Sequence, residues 1–395
     1  MRYLKSPLTP IAVISFLFIL FQWRTIARMP GPGTDFSIYY HAAGSFDSAG
    51  SQLYSTKTTS FDQYLYPPPC ILLFRFFHLF PETAAYLLFT GTMYLCLIAA
   101  LLLVITLSKI DPVKTLPLLL FALASAPVYH QASLGQINSL VLLLSLLYLR
   151  FVQKSPAWSG VLLALAIWIK LYPILLVIPA LLSLQGRKSI FYCALAGLIL
   201  PILCLPWIPL HHYRDFANIL SALSQYTSAH IINQSFTAFS MRTRLPVEQA
   251  FQWPNVYWVP AGLRVLNYLL LGFVILLAAI QTYKYRAFHL AGFLLLAASA
   301  LFSPLGWGHT FVLCLPLWIF CLEKLDASSR SSLPAYGLFI ATALLLLIPV
   351  YNHPAFSDHW PAPLRALYYS RFFFITVFLI LFSGYPFAKG NLTRD

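Results

Sequence analysis

Residues 94–107 read YLCLIAALLLVITL, an apolar stretch with no charge and no alternation of polar and apolar side chains. Strands of a membrane β-barrel switch polarity at every residue, so this pattern argues against a barrel. It suits a helix, which satisfies its own backbone amides in hydrocarbon. Comparable runs recur along all 395 residues, of which 59% are hydrophobic and 9% charged, whereas a soluble domain carries about 25% charge. Residues 1–395 therefore read as a single all-α, polytopic membrane domain. A bilayer crossing takes about 20 apolar residues, and the runs give about twelve spans, near 8–26, 82–107, 115–133, 136–152, 156–170, 171–186, 189–208, 261–282, 287–304, 310–322, 333–351 and 371–388. The first run follows Arg2 and Lys5 and has no convincing small-residue cleavage site before Gly31, so it reads as a retained span rather than a signal peptide.

The net charge of +14 does not point to nucleic acid, because the 25 basic residues are scattered in ones and twos with no block or stripe. Five of the six cysteines sit inside apolar runs, with no metal-ligand spacing and no disulfide framework. Neither a cofactor nor a metal is expected.

Short connections rich in Lys and Arg stay on the cytoplasmic side. Arg2/Lys5, Lys109/Lys114, Arg150/Lys154, Arg187/Lys188, Lys284/Arg286, Lys324/Arg330 and Lys389/Arg394 fall at one set of ends, 14 of the 25 basic residues. That places both termini in the cytoplasm and predicts a cell-membrane protein whose working face is outside. The opposite face holds two long outer loops, 27–81 and 209–260, and a shorter one, 352–370, all rich in aromatics and proline. Loops of this length in a compact protein are usually functional. Seven of the 11 acidic residues fall outside: Asp35, Asp47, Asp62, Glu82, Asp215, Glu248 and Asp358. Asp111, Glu323, Asp326 and Asp395 fall inside.

Candidate chemistry gathers on that outer face. Asp35, in TDFSIYY just after the first span, is either a helix cap or a carboxylate with a task at the membrane surface. The corner Tyr64-Leu65-Tyr66-Pro67-Pro68-Pro69 is rigid and serves either a re-entering loop or a ligand. Gln136 and Asn138 in GQIN suit sugar hydroxyls or a helix cap equally. Lys170 in WIKLYP stands at an outer helix end, either snorkelling to the interface or facing a phosphate. Asn233-Gln234-Ser235 formally matches a glycosylation acceptor, and with Arg242 and Arg244 it makes the second loop polar and cationic. His309 closes the turn SPLGWGH, either as a structural residue or as part of the same face. No Asp-x-Asp, GxGxxG, Walker A, GxSxG or HExxH occurs, which disfavours a sugar-nucleotide transferase with a cytoplasmic metal site.

In order and spacing, TDFSIYYHAAGSF…LY, YLYPPP, GQINSLVLLLSLLYLR, SGVLLALAIWIKLYP, INQSF and SPLGWGHTFVLCLPLW resemble glycosyltransferase family 87 of the GT-C superfamily, over about residues 35–310. The resemblance implies a polytopic hexosyltransferase that takes a sugar, mannose above all, from polyprenyl phosphate and passes it with inversion to a lipid or glycan acceptor. It implies Asp35 as catalytic base and a role for His309. Lys170, Arg242 and Arg244 become candidates for the donor phosphate, and Tyr39, Tyr66, Gln136, Asn138, Asn233 and Gln234 for the sugar or acceptor. Where the family often shows Ile-Lys-Leu-Thr-Pro, this chain has Tyr172 in place of the threonine, which leaves Lys170 in place and puts any hydroxyl role of that fourth residue in doubt. Two rival classes remain. A transporter or flippase would carry two related halves with matching broken helices, and no such repeat is seen. A glycan polymerase or ligase would rely more on outer arginines than on an Asp beside the first span. The orientation has a direct test. A cysteine at position 57 is expected to react with an impermeant maleimide from outside and one at 154 only from inside; the reverse pattern inverts the topology.

Overall fold

A computed structural model describes residues 8–26, 31–46, 53–54, 64–245, 247–253, 255–327, 333–348, 364 and 368–384. Asp47, Asp62, Asp358, position 57, most of 352–370, and the Arg2/Lys5, Arg330 and Lys389/Arg394 groups lie outside these residues, as does Asp395. The described chain is all-α apart from one small sheet, in which Tyr226–Ser228 pairs antiparallel with Val256–Trp258. Four helices are long and apolar enough to cross a bilayer: Glu82–Leu107, Leu184–Cys204, Ala261–Tyr283 and Gly308–Leu325. Helices Pro112–Ala124 and Ala126–Leu134 make a fifth crossing if their 52° bend is counted within one span. Shorter apolar helices of 10–17 residues accompany them. The protein is a multi-pass membrane protein.

The runs expected near 115–133 and 171–186 are not single straight helices. Pro127 follows the break at Ser125, where the backbone turns extended (ψ 146°). Pro173 and Pro179 divide the other run into a 3-10 turn, Tyr172–Leu176, and a short helix, Val177–Leu181. Proline removes an amide donor and crowds the preceding turn, so each break follows from sequence. The described parts of the two segments read as long loops, 27–81 and 209–260, contain helices. The first contains helices Thr34–Ser45 and Ile71–Phe77, and the second contains helices Leu210–Leu223 and Phe236–Arg242 around the sheet.

Helix Phe288–Phe302 is the centre of the bundle, with every residue from Leu290 to Phe302 buried. A helix apolar on all sides belongs in such a place. Leu184–Cys204 and Ala261–Tyr283 are only 11% and 22% buried over their apolar windows, so their outer faces meet lipid. Helices Pro156–Ile169 and Leu184–Cys204 pack very closely. The Ser159 and Ser189 hydroxyls are 2.8 Å apart, and a Cβ on Gly160 would run into the Ser189 carbonyl and the Cys193 amide. Small residues allow this approach where no hydrophobic driving force separates helix from lipid. At one end of the bundle Lys114 pairs with Glu323 at 3.0 Å. Gly160→Val is expected to destabilise the protein by about 1–3 kcal/mol through overpacking, read as a lower Tm in detergent; an unchanged Tm would show that the two helices can separate freely.

Candidate active site

The site forms at the opposite end of helix Glu82–Leu107 from Lys114, where the Ser37 hydroxyl donates to Glu82 at 2.6 Å. At about 1.5 Å per residue, this 26-residue helix separates the two ends by roughly 39 Å. Helix Thr34–Ser45 is capped by Gly33, which lies directly on the Leu134 backbone with no room for a Cβ. Asp35 is therefore not the cap. It sits in the first turn, where the helix dipole favours a carboxylate. Its neighbour Phe36 is fully buried against Tyr86 and Phe89 and fixes the direction of the turn.

Gly135 ends helix Ala126–Leu134 in the left-handed conformation, φ +73°. A Cβ there would meet Phe36, so both the backbone and the packing call for glycine. The Gln136 amide reaches back to the Gln131 carbonyl at 2.9 Å, the six-to-one bond of a Schellman ending. This aims the Gln136 side chain at the loop helix. Its amide nitrogen donates to the Asp35 carboxylate and to the Tyr39 hydroxyl, the latter at 2.9 Å. Its oxygen accepts from Tyr66 at 2.8 Å and from Lys170 at 3.0 Å.

Helix Pro156–Ile169 stops at Lys170, whose backbone turns extended (φ −147°, ψ 136°) just before Tyr172-Pro173. The ammonium does not snorkel. It donates to Asn138 Oδ1 at 2.7 Å and lies 5.0 Å from the Tyr66 ring centre and 5.7 Å from that of Tyr172. Asn138, fully buried at the start of its helix, donates in turn to the His309 carbonyl at 3.2 Å. The Tyr39 hydroxyl donates to Tyr66 at 3.0 Å. Burial, with Asp35 close by, holds the Tyr39 phenol well above its usual pKa, and burial with Tyr39 beside it does the same for Tyr66. Both stay protonated donors at neutral pH. The structure thus brings Asp35, Tyr39, Tyr66, Gln136, Asn138, Lys170 and the His309 backbone into one connected network.

The residues chosen from the second loop stand elsewhere. Asn233 is fully buried and donates to the Ser228 and Pro304 carbonyls at 2.9 and 3.1 Å. Gln234, also fully buried, donates to the Ile231 and Tyr369 carbonyls and accepts the Phe372 amide at 3.1 Å. Arg242 donates to the His230 and Asn233 carbonyls at 3.0 and 2.6 Å and to the Ser370 hydroxyl at 2.9 Å. Burial brings its guanidinium down to about 9, still a cation at neutral pH. Arg244 is exposed. Backbone groups in a loop need partners wherever water is excluded, and Asn233, Gln234 and Arg242 are committed to them. The structure thus holds Asn233, Gln234 and Arg242 in backbone contacts outside the network around Lys170. Their segment instead docks on the His309 turn: Asn233 bridges to Trp307, Gln234 N donates to the Gly306 carbonyl at 2.7 Å, and Gly308 N donates to Ile232 at 2.8 Å.

Two groups escaped the sequence reading. His130 and Arg371 each occupy an otherwise apolar run, without a motif, although an ionisable residue there is itself a signal. Both are buried, His130 beside His309 and Arg371 beside His130. Among the described residues, His211, His212 and Asp215 have ligand atoms within 4.8 Å of one another, a spacing within which a metal ion could bind. They lie on helix Leu210–Leu223, with the His212 ring against Phe46 and Tyr54. A narrow crevice lies behind Gln136, walled by Phe89, Met93 and Tyr94 and lined also by Thr90 and Gln131, whose side-chain Oε1 is buried without a partner.

A carboxylate, a lysine and aligned amides at the mouth of a helical membrane bundle are the equipment of a membrane-embedded transferase acting on a polar group. The chain matches the family model for glycosyltransferase family 87 over residues 64–304, more than half its length, and it belongs to that family. It is accordingly a membrane glycosyltransferase that uses a sugar donor and an acceptor. The matched stretch contains Tyr66, Gln136, Asn138 and Lys170, while Asp35 and His309 lie beyond it. No curated protein matches the chain. Gln136→Leu removes the shared partner of Asp35, Tyr66 and Lys170. It is expected to cost about 1–3 kcal/mol through unpaired buried groups and to lower sugar transfer at least tenfold; a variant equal to wild type in both Tm and turnover would dissolve the network.

Proposed function

We propose that the protein transfers a hexose, mannose in the first place, from polyprenyl phosphate to a hydroxyl of a lipid or glycan acceptor with inversion, on the non-cytoplasmic face of the cell membrane. The twelve-span topology read from the basic connections belongs to the same proposal. The observation that carries it is the line Asp35–Gln136–Lys170, a carboxylate and an ammonium held on either side of one amide.

In this reading Asp35 takes the proton of the acceptor hydroxyl as that oxygen attacks the anomeric carbon. The new C–O bond forms on the face opposite the breaking bond to phosphate, and polyprenyl phosphate departs with the bonding pair. A phosphate leaves as a stable anion, so it needs no proton from a second carboxyl, unlike the alcohol expelled by a glycosidase. What it needs is positive charge where negative charge grows. Lys170 supplies this at a fixed position, because two amide oxygens and two aromatic rings already hold its ammonium in place. Such preorganisation avoids reorganisation cost during the reaction.

Gln136 keeps the base and the cation apart. A direct Asp35–Lys170 contact would neutralise both, whereas the amide leaves the carboxylate oriented by a neutral donor. In the same reading Tyr39 and Tyr66, whose hydroxyls bond each other and Gln136, meet sugar or acceptor hydroxyls. Asp35→Asn keeps the shape and removes the base. Transfer from radiolabelled polyprenyl-phosphate mannose to candidate lipids is expected to fall by about 10³-fold or more, within or beyond the range of general-base effects, with membrane insertion and Tm unchanged. Retained turnover would take Asp35 out of the mechanism.

A further inference from the structure

Helix Leu210–Leu223 opens the second outer segment with Leu210-His211-His212-Tyr213-Arg214-Asp215. Two neighbouring histidines have none of the spacings that mark a metal site in a sequence. The helix supplies what the spacing lacks. At 3.6 residues per turn Asp215 falls between His211 and His212 around the axis, so the three share an arc of about 100°. One ligand atom from each lies within 4.8 Å of the other two, and the two imidazole rings are 4.1 Å apart at their centres.

His212 sets this group apart from an ordinary polar face. It is only 2% exposed, and its Nδ1 is buried with no hydrogen-bond partner. Buried polar side-chain atoms are normally partnered. What holds this ring is aromatic contact, with Phe46 at 5.7 Å and Tyr54 at 6.4 Å between ring centres. The ion pairs among the described residues, His41 with Glu82 and Lys114 with Glu323, leave Asp215 out. His211 is exposed and Asp215 half-buried. The group therefore opens to solvent on one side and rests on an aromatic wall on the other.

The donor set selects the ion. Two imidazole nitrogens and one carboxylate suit zinc and its late first-row neighbours, whereas magnesium and calcium call for oxygen. Ligands about 2.1 Å from a tetrahedral zinc stand about 3.4 Å from one another. Rotation of the two less buried side chains, His211 and Asp215, closes the spacing to that value. The start of a helix disfavours a cation, and the formal negative charge of Asp215 offsets this.

We propose that His211, His212 and Asp215 bind a zinc-class divalent cation, with water in the fourth position, and that the ion fastens the start of helix Leu210–Leu223 against the first outer segment. The ion takes no part in the transfer step and does not depend on the choice of donor or acceptor. Its effect reaches the network through the aromatic wall. His212 and Phe216 pack on Tyr54, the Tyr54 hydroxyl donates to the Tyr66 carbonyl at 2.7 Å, and Tyr66 in turn bonds Gln136. A bound ion fixes the His212 ring and so steadies the face on which Tyr54 rests.

The test uses the full chain without a histidine tag, in nanodiscs stripped with a chelator. Tm and amide hydrogen exchange are followed while zinc or magnesium chloride is added. Zinc at micromolar concentration is expected to raise Tm by several degrees and to slow exchange over residues 210–223; magnesium at the same concentration is expected to do neither. His211→Ala and Asp215→Asn each remove a ligand from the less buried side. Both should keep the metal-free Tm and weaken zinc binding about tenfold or more. His212→Phe keeps the ring packing, removes both nitrogens and should abolish the zinc response; should it prove unfolded, the other two variants still decide the matter. No response to zinc, an equal response to magnesium, or wild-type zinc affinity in both His211→Ala and Asp215→Asn would overturn the site. Zinc binding that leaves exchange over 210–223 unchanged would overturn the fastening role. None of these readouts involves sugar transfer, so their failure leaves the transferase reading as it stands.

Discussion

A lysine held among neutral oxygens at the mouth of a membrane bundle is the constraint around which this structure is arranged. An ammonium in such a place is tolerated only if its donors are met, and Lys170 meets Gln136 and Asn138 while lying near the rings of Tyr66 and Tyr172. Each of those partners needs its own local structure. Gln136 depends on the left-handed turn at Gly135, Asn138 on the start of its helix, and Tyr66 on the triple-proline corner. Lys170 itself depends on the helix ending where Tyr172-Pro173 forbids its continuation.

The bundle is thus regular toward one end and broken toward the other. Helix Glu82–Leu107 runs 26 residues without interruption, while the segments that meet Asp35 are short helices, 3-10 turns and extended corners. Irregular backbone at membrane depth is tolerated where protein buries it or where it lines a polar site. Here nearly every break brings a polar side chain inward: Ser125 precedes the helix of His130 and Gln131, Gly135 precedes Gln136, and the 3-10 stretch Gly308–Cys314 carries His309.

The helical membrane character was legible in the apolar runs, because hydrocarbon leaves the backbone no alternative. The positions of Asp35, Gln136, Asn138 and Lys170 at helix ends were legible for the same reason: polar residues interrupting an apolar pattern stand out. The surroundings of the second-loop side chains were not legible, because sequence does not show which polar groups the loop backbone will claim, and Asn233, Gln234 and Arg242 all donate to carbonyls. His130 and Arg371 were passed over because each is a single polar residue in a hydrophobic context, and only the packing of three distant segments gives them neighbours. The bent and divided spans follow from Pro127, Pro173 and Pro179, but their angles come from tertiary contacts that no local pattern specifies.

The backbone bonds between the Ile232–Gln234 segment and the Gly306–Gly308 turn join two stretches more than seventy residues apart into one stiff plate. His309 is mounted on its edge. The Ile232–Gln234 segment is therefore tied by its backbone to the turn that carries the imidazole. A substitution that shifts this segment would shift the seat of His309 as well, and with it the spacing between the histidine and the lysine.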